Sequence, residues 1–267
     1  MRRSPGSISR AGAMRELRTI NSHRIFVEAR GPKKGHPVVL LHHGLGAVRS
    51  WRKQIPVLAK AGYRVLAYDR WGHGKSDPRS SWGMPYFESD RADLEQLLDG
   101  LRVERVALVG HSDGGKIALY FAADHPERVP SLVVVAAHIY VENRMGPGIQ
   151  QVLNDFETDN RFREKLHRVH GEKAAALFRG WYSGWTNPAW VDWDMRPVLR
   201  KITCPALVAQ GLEDEHATPQ HARDLAGNIA GAELWLEPGI GHMLPQDAPE
   251  EFNRRLLEFL ERNLWEQ

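Results

Sequence analysis

The feature that most limits what this chain can fold into is the stretch VALVGHSDGGKIAL, running from Val106 to Leu119. A β-branched, apolar run without polar alternation ends at a glycine, passes through one serine and enters helix formers with no linker. Apolar residues on both faces mean a strand covered on both sides, as in a parallel sheet lying between helical layers. The flanking glycines allow a turn too tight for side chains, so Ser112 is expected on a strained corner with its hydroxyl presented outward.

The rest of the chain repeats the theme. LRTINSHRIFVEA reads as two strands around an Asn-Ser turn, PVVLLHH as a strand, SWRKQIPVLAKAG as a helix, YRVLAYD as a strand and ESDRADLEQLLDGL as a helix. After SLVVVAA the alternation stops, and from His138 to Lys201 only helical spacing appears, rich in tryptophan at 181, 185, 190 and 193. It resumes with CPALVAQG, a helix from Pro219, AELWLEP and PEEFNRRLLEFLERNL. This predicts an α/β fold: a mostly parallel sheet built from right-handed βαβ units and flanked by helices. Residues 14–137 and 202–267 form the core, 138–201 a helical cap inserted between two strands, and 1–13 a disordered tail.

Composition removes several classes of function. A chain of 267 residues, 42% hydrophobic, buries one large core. The net charge of +3 is spread among interleaved acids and bases, so no basic stripe suits nucleic acid. The apolar runs are too short to span a bilayer, and MRRSPGSISRAG lacks the apolar centre of a secretory signal. The single cysteine, Cys204, excludes an internal disulfide and makes a reducing cytoplasm the simplest location. WGHGKS ends like a phosphate-binding loop, but Asp69 stands where its first glycine is needed. His167 and His170 have metal-pair spacing without a third ligand and read as a solvated helix face, so neither metal nor cofactor is expected.

Gly110-His111-Ser112-Asp113-Gly114 matches G-x-S-x-G in its strand-to-helix setting. A serine hydroxyl becomes nucleophilic when an imidazole takes its proton and a carboxylate orients that imidazole. The acid is expected in GLEDEHATP, at Asp214 between Glu213 and Glu215, and the base in GIGHMLP, at His242. Two backbone N–H groups would hold the developing oxyanion: that of Asp113, and that of Leu45 in HHGLG, with Gly44 beside it. His138 and Glu142 begin the cap near this site, whereas His216 and His221 read as surface residues. Phe178, Trp181, Tyr182 and Trp185 share one helical face, which either packs the cap on the core or walls an apolar pocket. Asp113 has two open roles: a negative charge in the first turn of a helix, or an attraction for a cationic substrate.

Taken together, HHGLG, DRWGHGKSD, GHSDGG, GLEDEHATP and GIGHM resemble the α/β-hydrolase superfamily with a helical cap, over everything from about Arg15 onward. Ser112-Asp113-Gly114-Gly115 and AAHIYVEN resemble the biphenyl hydrolase-like, or valacyclovirase, group. The resemblance implies a cofactor-free serine hydrolase, monomer or homodimer, whose partner is a small ester cleaved through an acyl-enzyme. It also matches Asp113 to an aspartate that receives the α-amino group of amino-acid esters. From their positions in the chain, Gly44, His138, Trp181 and Trp185 are expected as further substrate contacts. Two alternatives remain: a carbon–carbon bond hydrolase of meta-ring-cleavage products, and a small-molecule receptor with vestigial hydrolysis.

Overall fold

A computed structural model describes every residue except 1–12, 81, 83–85, 143–144 and 266–267, so the expected tail lies almost wholly outside the described residues. The chain opens with a hairpin of β1 (Met14–Ile20) and β2 (His23–Arg30). Its two turn residues, Asn21 and Ser22, have φ of 45° and 72°, the paired left-handed geometry that matches the twist of a two-residue hairpin. Then follow β3 (Pro37–Leu41), α1 (Ile55–Lys60), β4 (Arg64–Tyr68), α2 (Tyr86–Gly100), β5 (Ala107–His111), α3 (Asp113–Asp124) and β6 (Leu132–Val135). The helix expected over SWRKQIPVLAKAG is shorter. Val48–Trp51 form a 3-10 turn and α1 begins at Ile55, because Pro56 lacks an N–H and fits only the first helical turn.

Between β6 and β7 (Ala206–Gly211) lie α4 (Met145–Thr158), α5 (Asn160–His170), α6 (Ala174–Trp185) and α7 (Arg196–Leu199). Among the described residues this stretch holds no strand beyond a bridge from Tyr140 to Asp194. Its own small core joins Ile149, Leu166, Phe178 and Trp181, with Phe156 stacked on Phe178 at 3.8 Å. The chain ends with α8 (Gln220–Asn228), β8 (Glu233–Glu237), α9 (Leu244–Asp247) and α10 (Pro249–Arg262).

The eight strands form one sheet in the order β1-β2-β4-β3-β5-β6-β7-β8, antiparallel at the β1-β2 and β2-β4 pairs and parallel from β4 onward. Alternate residues of each central strand enter different cores. Leu108, Leu132 and Val134 join the side covered by α2, α3 and α8, while Val109, Val133 and Val135 join the side covered by α1 and α10. That two-sided burial is the reason these strands carry no polar alternation. The carboxyl ends of β3, β5 and β7 therefore open toward one edge of the sheet, beneath the helical stretch. No helix among the described residues is long and apolar enough to cross a membrane.

Leu108 is fully buried at the centre of the sheet. Leu108→Ala should lower unfolding stability by about 2–5 kcal/mol in a denaturant titration. A loss under about 1 kcal/mol would mean that the centre of this core is not packed as described.

Candidate active site

Ser112 sits between the last residue of β5 and the first of α3 with φ 55° and ψ −116°, a conformation that costs a non-glycine residue about 1–3 kcal/mol. The close approach of strand and helix imposes it. A Cβ on Gly110 would meet the Gly114 carbonyl oxygen at 2.4 Å, and one on Gly114 would meet that of Leu41 at 2.1 Å. The corner is tied down by Ser112 N–H donating to Val135 O (2.8 Å) and by Ser112 O accepting from Gly115 N–H (2.9 Å).

Folding brings the three expected residues into one line. The Ser112 Oγ lies 3.0 Å from His242 Nε2, and His242 Nδ1 lies 3.0 Å and 3.2 Å from the two Asp214 carboxylate oxygens. All three are buried. Asp214 also accepts from the His216 N–H (2.9 Å), the Ala217 N–H (3.3 Å) and Gln210 Nε2 (3.2 Å). Its neighbour Glu215 accepts the His242 backbone N–H at 3.0 Å, so the carboxylate that faces the imidazole ring is Asp214, where spacing from Gly211 places the acid. Burial pushes the His242 pKa down, but the charge and hydrogen bond of Asp214 outweigh it and leave His242 above an ordinary histidine. Burial likewise pushes Asp214 up, and His242 more than reverses it, leaving the carboxyl below its usual range.

The HHGLG loop, where an oxyanion donor is expected at Leu45, is held by histidines. His73 Nε2 donates to Gly44 O (2.8 Å), and His170 Nε2 donates to Leu45 O (3.1 Å) while its Nδ1 accepts from Gly74 N–H (2.9 Å). His42 Nδ1 donates to His43 O (2.8 Å) and its Nε2 accepts from Arg70 N–H (3.1 Å). Arg70 is itself fixed by a buried ion pair to Asp90 at 2.6 Å. His170 is thus no solvated residue, which corrects the reading of the His167–His170 pair: His167 is exposed, but its partner is buried and spans from α5 to this loop. His216 and His221 also depart from their expected surface positions. His216 packs edge-on to His242 with ring centroids 4.7 Å apart, and His221 is wholly buried against Tyr140. Asp69 accepts the Val48 and Lys75 N–H groups at 2.6 Å and 2.7 Å, so the would-be phosphate loop is a carboxylate-clamped turn.

Comparison with known proteins agrees with this geometry. Residues 37–192, more than half of the chain, match the alpha/beta hydrolase fold family. The chain belongs to the α/β-hydrolase family. It is similar to serine hydrolase BPHL of Mus musculus, 30% identical over 234 residues that cover 85% of this chain and 79% of the relative. It is also 27% identical, over 85% of this chain and 88% of the relative, to a 2-hydroxy-6-oxo-6-phenylhexa-2,4-dienoate hydrolase of Comamonas testosteroni. Among solved structures, the enol-lactonase from Burkholderia xenovorans LB400 superposes with a TM-score of 0.75 at 25% identity, covering 92% of this chain and all of that one.

Around the serine of this α/β hydrolase lie the other expected residues. His138 is buried, its ring 5.5 Å from that of His242 and 5.9 Å from that of Trp185, and neither of its nitrogens has a partner among the described residues. Glu142 turns elsewhere, accepting from the Thr218 N–H (2.7 Å) and hydroxyl (3.0 Å). Trp181 and Trp185 reach inward from α6: the Trp181 indole nitrogen lies against Gly44, and the Trp185 ring lies 4.2 Å from the ammonium of Lys116. Lys116 is the residue that sequence reasoning missed. It is fully buried and donates to Asp113 Oδ1 at 2.8 Å, and only its three-residue spacing from Asp113 on α3 signalled the pair. Possible metal-ligand atoms of His138, Asp214 and His242 fall within 4.8 Å of one another, but two of these residues are already hydrogen-bonded together.

Buried, neutral histidines predict an acid-sensitive fold. Burial pushes His111 down to about 3 and His170 and His216 to about 4. It also lowers His42, His43, His73, His138 and His221. Unfolding restores values near 6.5, so below that pH the unfolded chain binds more protons and stability falls as the pH drops. Each such group removes up to about 1.4 kcal/mol per pH unit. Two of them acting fully would lower Tm by roughly 8 °C between pH 7.5 and 5.5. A melting curve that does not move over this interval would contradict the buried, neutral state of these rings.

Proposed function

We propose that this α/β hydrolase cleaves small carboxylic esters through a Ser112 acyl-enzyme, with the helices of 138–201 serving as the cap over the site. One observation carries the reading: a serine on a positive-φ corner whose hydroxyl lies 3.0 Å from an imidazole that a buried carboxylate holds from behind. As Ser112 Oγ attacks the carbonyl carbon, its proton passes to His242 Nε2, and Asp214 stabilises the imidazolium that results. The negative oxygen of the tetrahedral intermediate takes hydrogen bonds from the backbone N–H groups of Asp113 and Leu45. Collapse expels the alcohol, which takes the proton from His242. A water then attacks the acyl carbon as His242 takes its proton, and collapse of this second intermediate breaks the bond to Ser112, passes that proton to its Oγ and releases the acid.

The raised pKa of His242 suits this exchange, because an imidazole that Asp214 makes more basic accepts the serine proton more readily. His138, whose nitrogens have no partner among the described residues, offers a substrate a donor or an acceptor, and Trp181 and Trp185 place apolar rings near Gly44 and His138. A second reading, hydrolysis of a carbon–carbon bond in a meta-ring-cleavage product, is favoured by the likeness to the Comamonas testosteroni hydrolase and calls on the same three residues. The amino-acid-ester preference that the valacyclovirase resemblance brings depends on the charge of Asp113, which Lys116 already engages.

On a nitrophenyl ester, Ser112→Ala should lose about 10⁴-fold or more in kcat while keeping the wild-type circular dichroism and Tm. Turnover within about tenfold of wild type would remove Ser112 from the mechanism. Running the wild type beside this on a vinylogous diketone acid separates the two bond types. Faster cleavage of the ester supports the first reading, and faster cleavage of the carbon–carbon bond replaces it with the second.

A further inference from the structure

A carboxylate directly beside a nucleophilic serine would ordinarily draw a cationic group into the site. Here every approach to that carboxylate is occupied. Asp113 is 1% exposed. Its Oδ1 receives the Lys116 ammonium at 2.8 Å. Its Oδ2 faces the HHGLG loop, because the position a Cβ would take on Gly44 lies 2.7 Å from that oxygen and 2.3 Å from the Trp181 indole nitrogen. Lys116 is in turn held from its far side by the ring faces of Trp185 at 4.2 Å and Phe87 at 5.3 Å, so no part of it reaches solvent. The pair therefore closes the carboxylate from beneath with Lys116, from the loop side with Gly44, and from the helix above with Trp181.

We propose that Lys116 sets the charge selectivity of the site: its ammonium fills, from within the protein, the position at Asp113 that a cationic substrate would need. The acyl group accepted next to Ser112 is then uncharged, and Asp113 serves as the counter-ion and first-turn acid of α3. The inference rests on the ester-hydrolase reading for its substrates and not for its logic, which concerns only what charge is welcome beside Ser112. Burial of Lys116 works against its own charged state, and the Asp113 carboxylate opposes that loss, as expected of two groups that need each other.

The test compares the nitrophenyl esters of valine and of its carbon isostere 2,3-dimethylbutanoate, in which a methyl group stands in place of the ammonium. The pH is kept below the pKa of the valine ester amine, and each rate is divided by the spontaneous hydrolysis of that ester. Wild type should show kcat/KM values within about threefold of each other. Lys116→Met should move the ratio about tenfold or more toward the cationic ester by unmasking Asp113, and adding Asp113→Asn should return it to the wild-type value. Lys116→Arg, which keeps the charge, should leave the ratio where it was. Wild type favouring the cation by about tenfold, or a folded Lys116→Met with an unchanged ratio, would overturn the proposal.

Removing Lys116 strands a buried carboxylate and threatens folding, so the wild-type ratio and the double variant, in which both charges are gone, carry the test if Lys116→Met does not fold. A parallel arm measures how fast two fluorophosphonates, one with an ammonium and one with the matching alkyl group, label Ser112. This needs a nucleophilic serine and no ester turnover. Equal labelling by both probes supports the proposal even if the protein hydrolyses no ester, and faster labelling by the ammonium probe overturns it.

Discussion

The close contact of β5 with α3 is the constraint on which the site depends. Gly110 and Gly114 have no side chains, and the backbone oxygens of Gly114 and Leu41 occupy the space where those side chains would stand. The chain therefore reverses within one residue, and that residue, Ser112, is held at positive φ. The strain is borne by the two cores on either side of the sheet, in which β5 contributes Leu108 to one and Ala107 and Val109 to the other. A strand so fully packed cannot relax its last residue without disturbing both layers. The corner then presents the Ser112 oxygen at the carboxyl edge of the sheet, where the loops after β7 and β8 deliver Asp214 and His242.

Around that corner the protein uses histidine as a structural residue. His42, His73 and His170 each bridge backbone groups of the HHGLG loop to another segment, and His111 donates to the carbonyl of His242 at 2.8 Å. A neutral imidazole supplies one donor and one acceptor on a rigid ring, which lets His42 and His170 each tie a carbonyl oxygen to an amide N–H across a dry interface. At His242 the Asp214 carboxylate outweighs burial and favours the protonated form. The same residue type thus serves as scaffold in one place and proton carrier in another, and a nearby carboxylate decides which.

Much of the fold was legible in the residues because burial and period are local signals. The two-sided strands, the Asn-Ser hairpin turn, the helical stretch between β6 and β7 and the strand–serine–helix corner follow from runs of adjacent side chains. The start of α1 differs by a few residues from the expected helix, since Pro56 acts through geometry rather than composition. The histidines at 170, 216 and 221 were read as surface because their neighbours are polar, and a polar helix face hides whichever of its members another element covers.

The layered sheet, the serine corner and the order of hydroxyl, carboxylate and imidazole along the chain were all readable in the residues, because each is marked by a local motif or a steric limit within a few residues. Folding in three dimensions was needed to show that Glu215 holds the backbone of His242, which histidines hold the loop, and that Lys116 already occupies Asp113. Those choices depend on distances between segments as far apart as Gly44, Asp113 and Trp181, and charge interactions are set by such distances and by burial rather than by position along the chain.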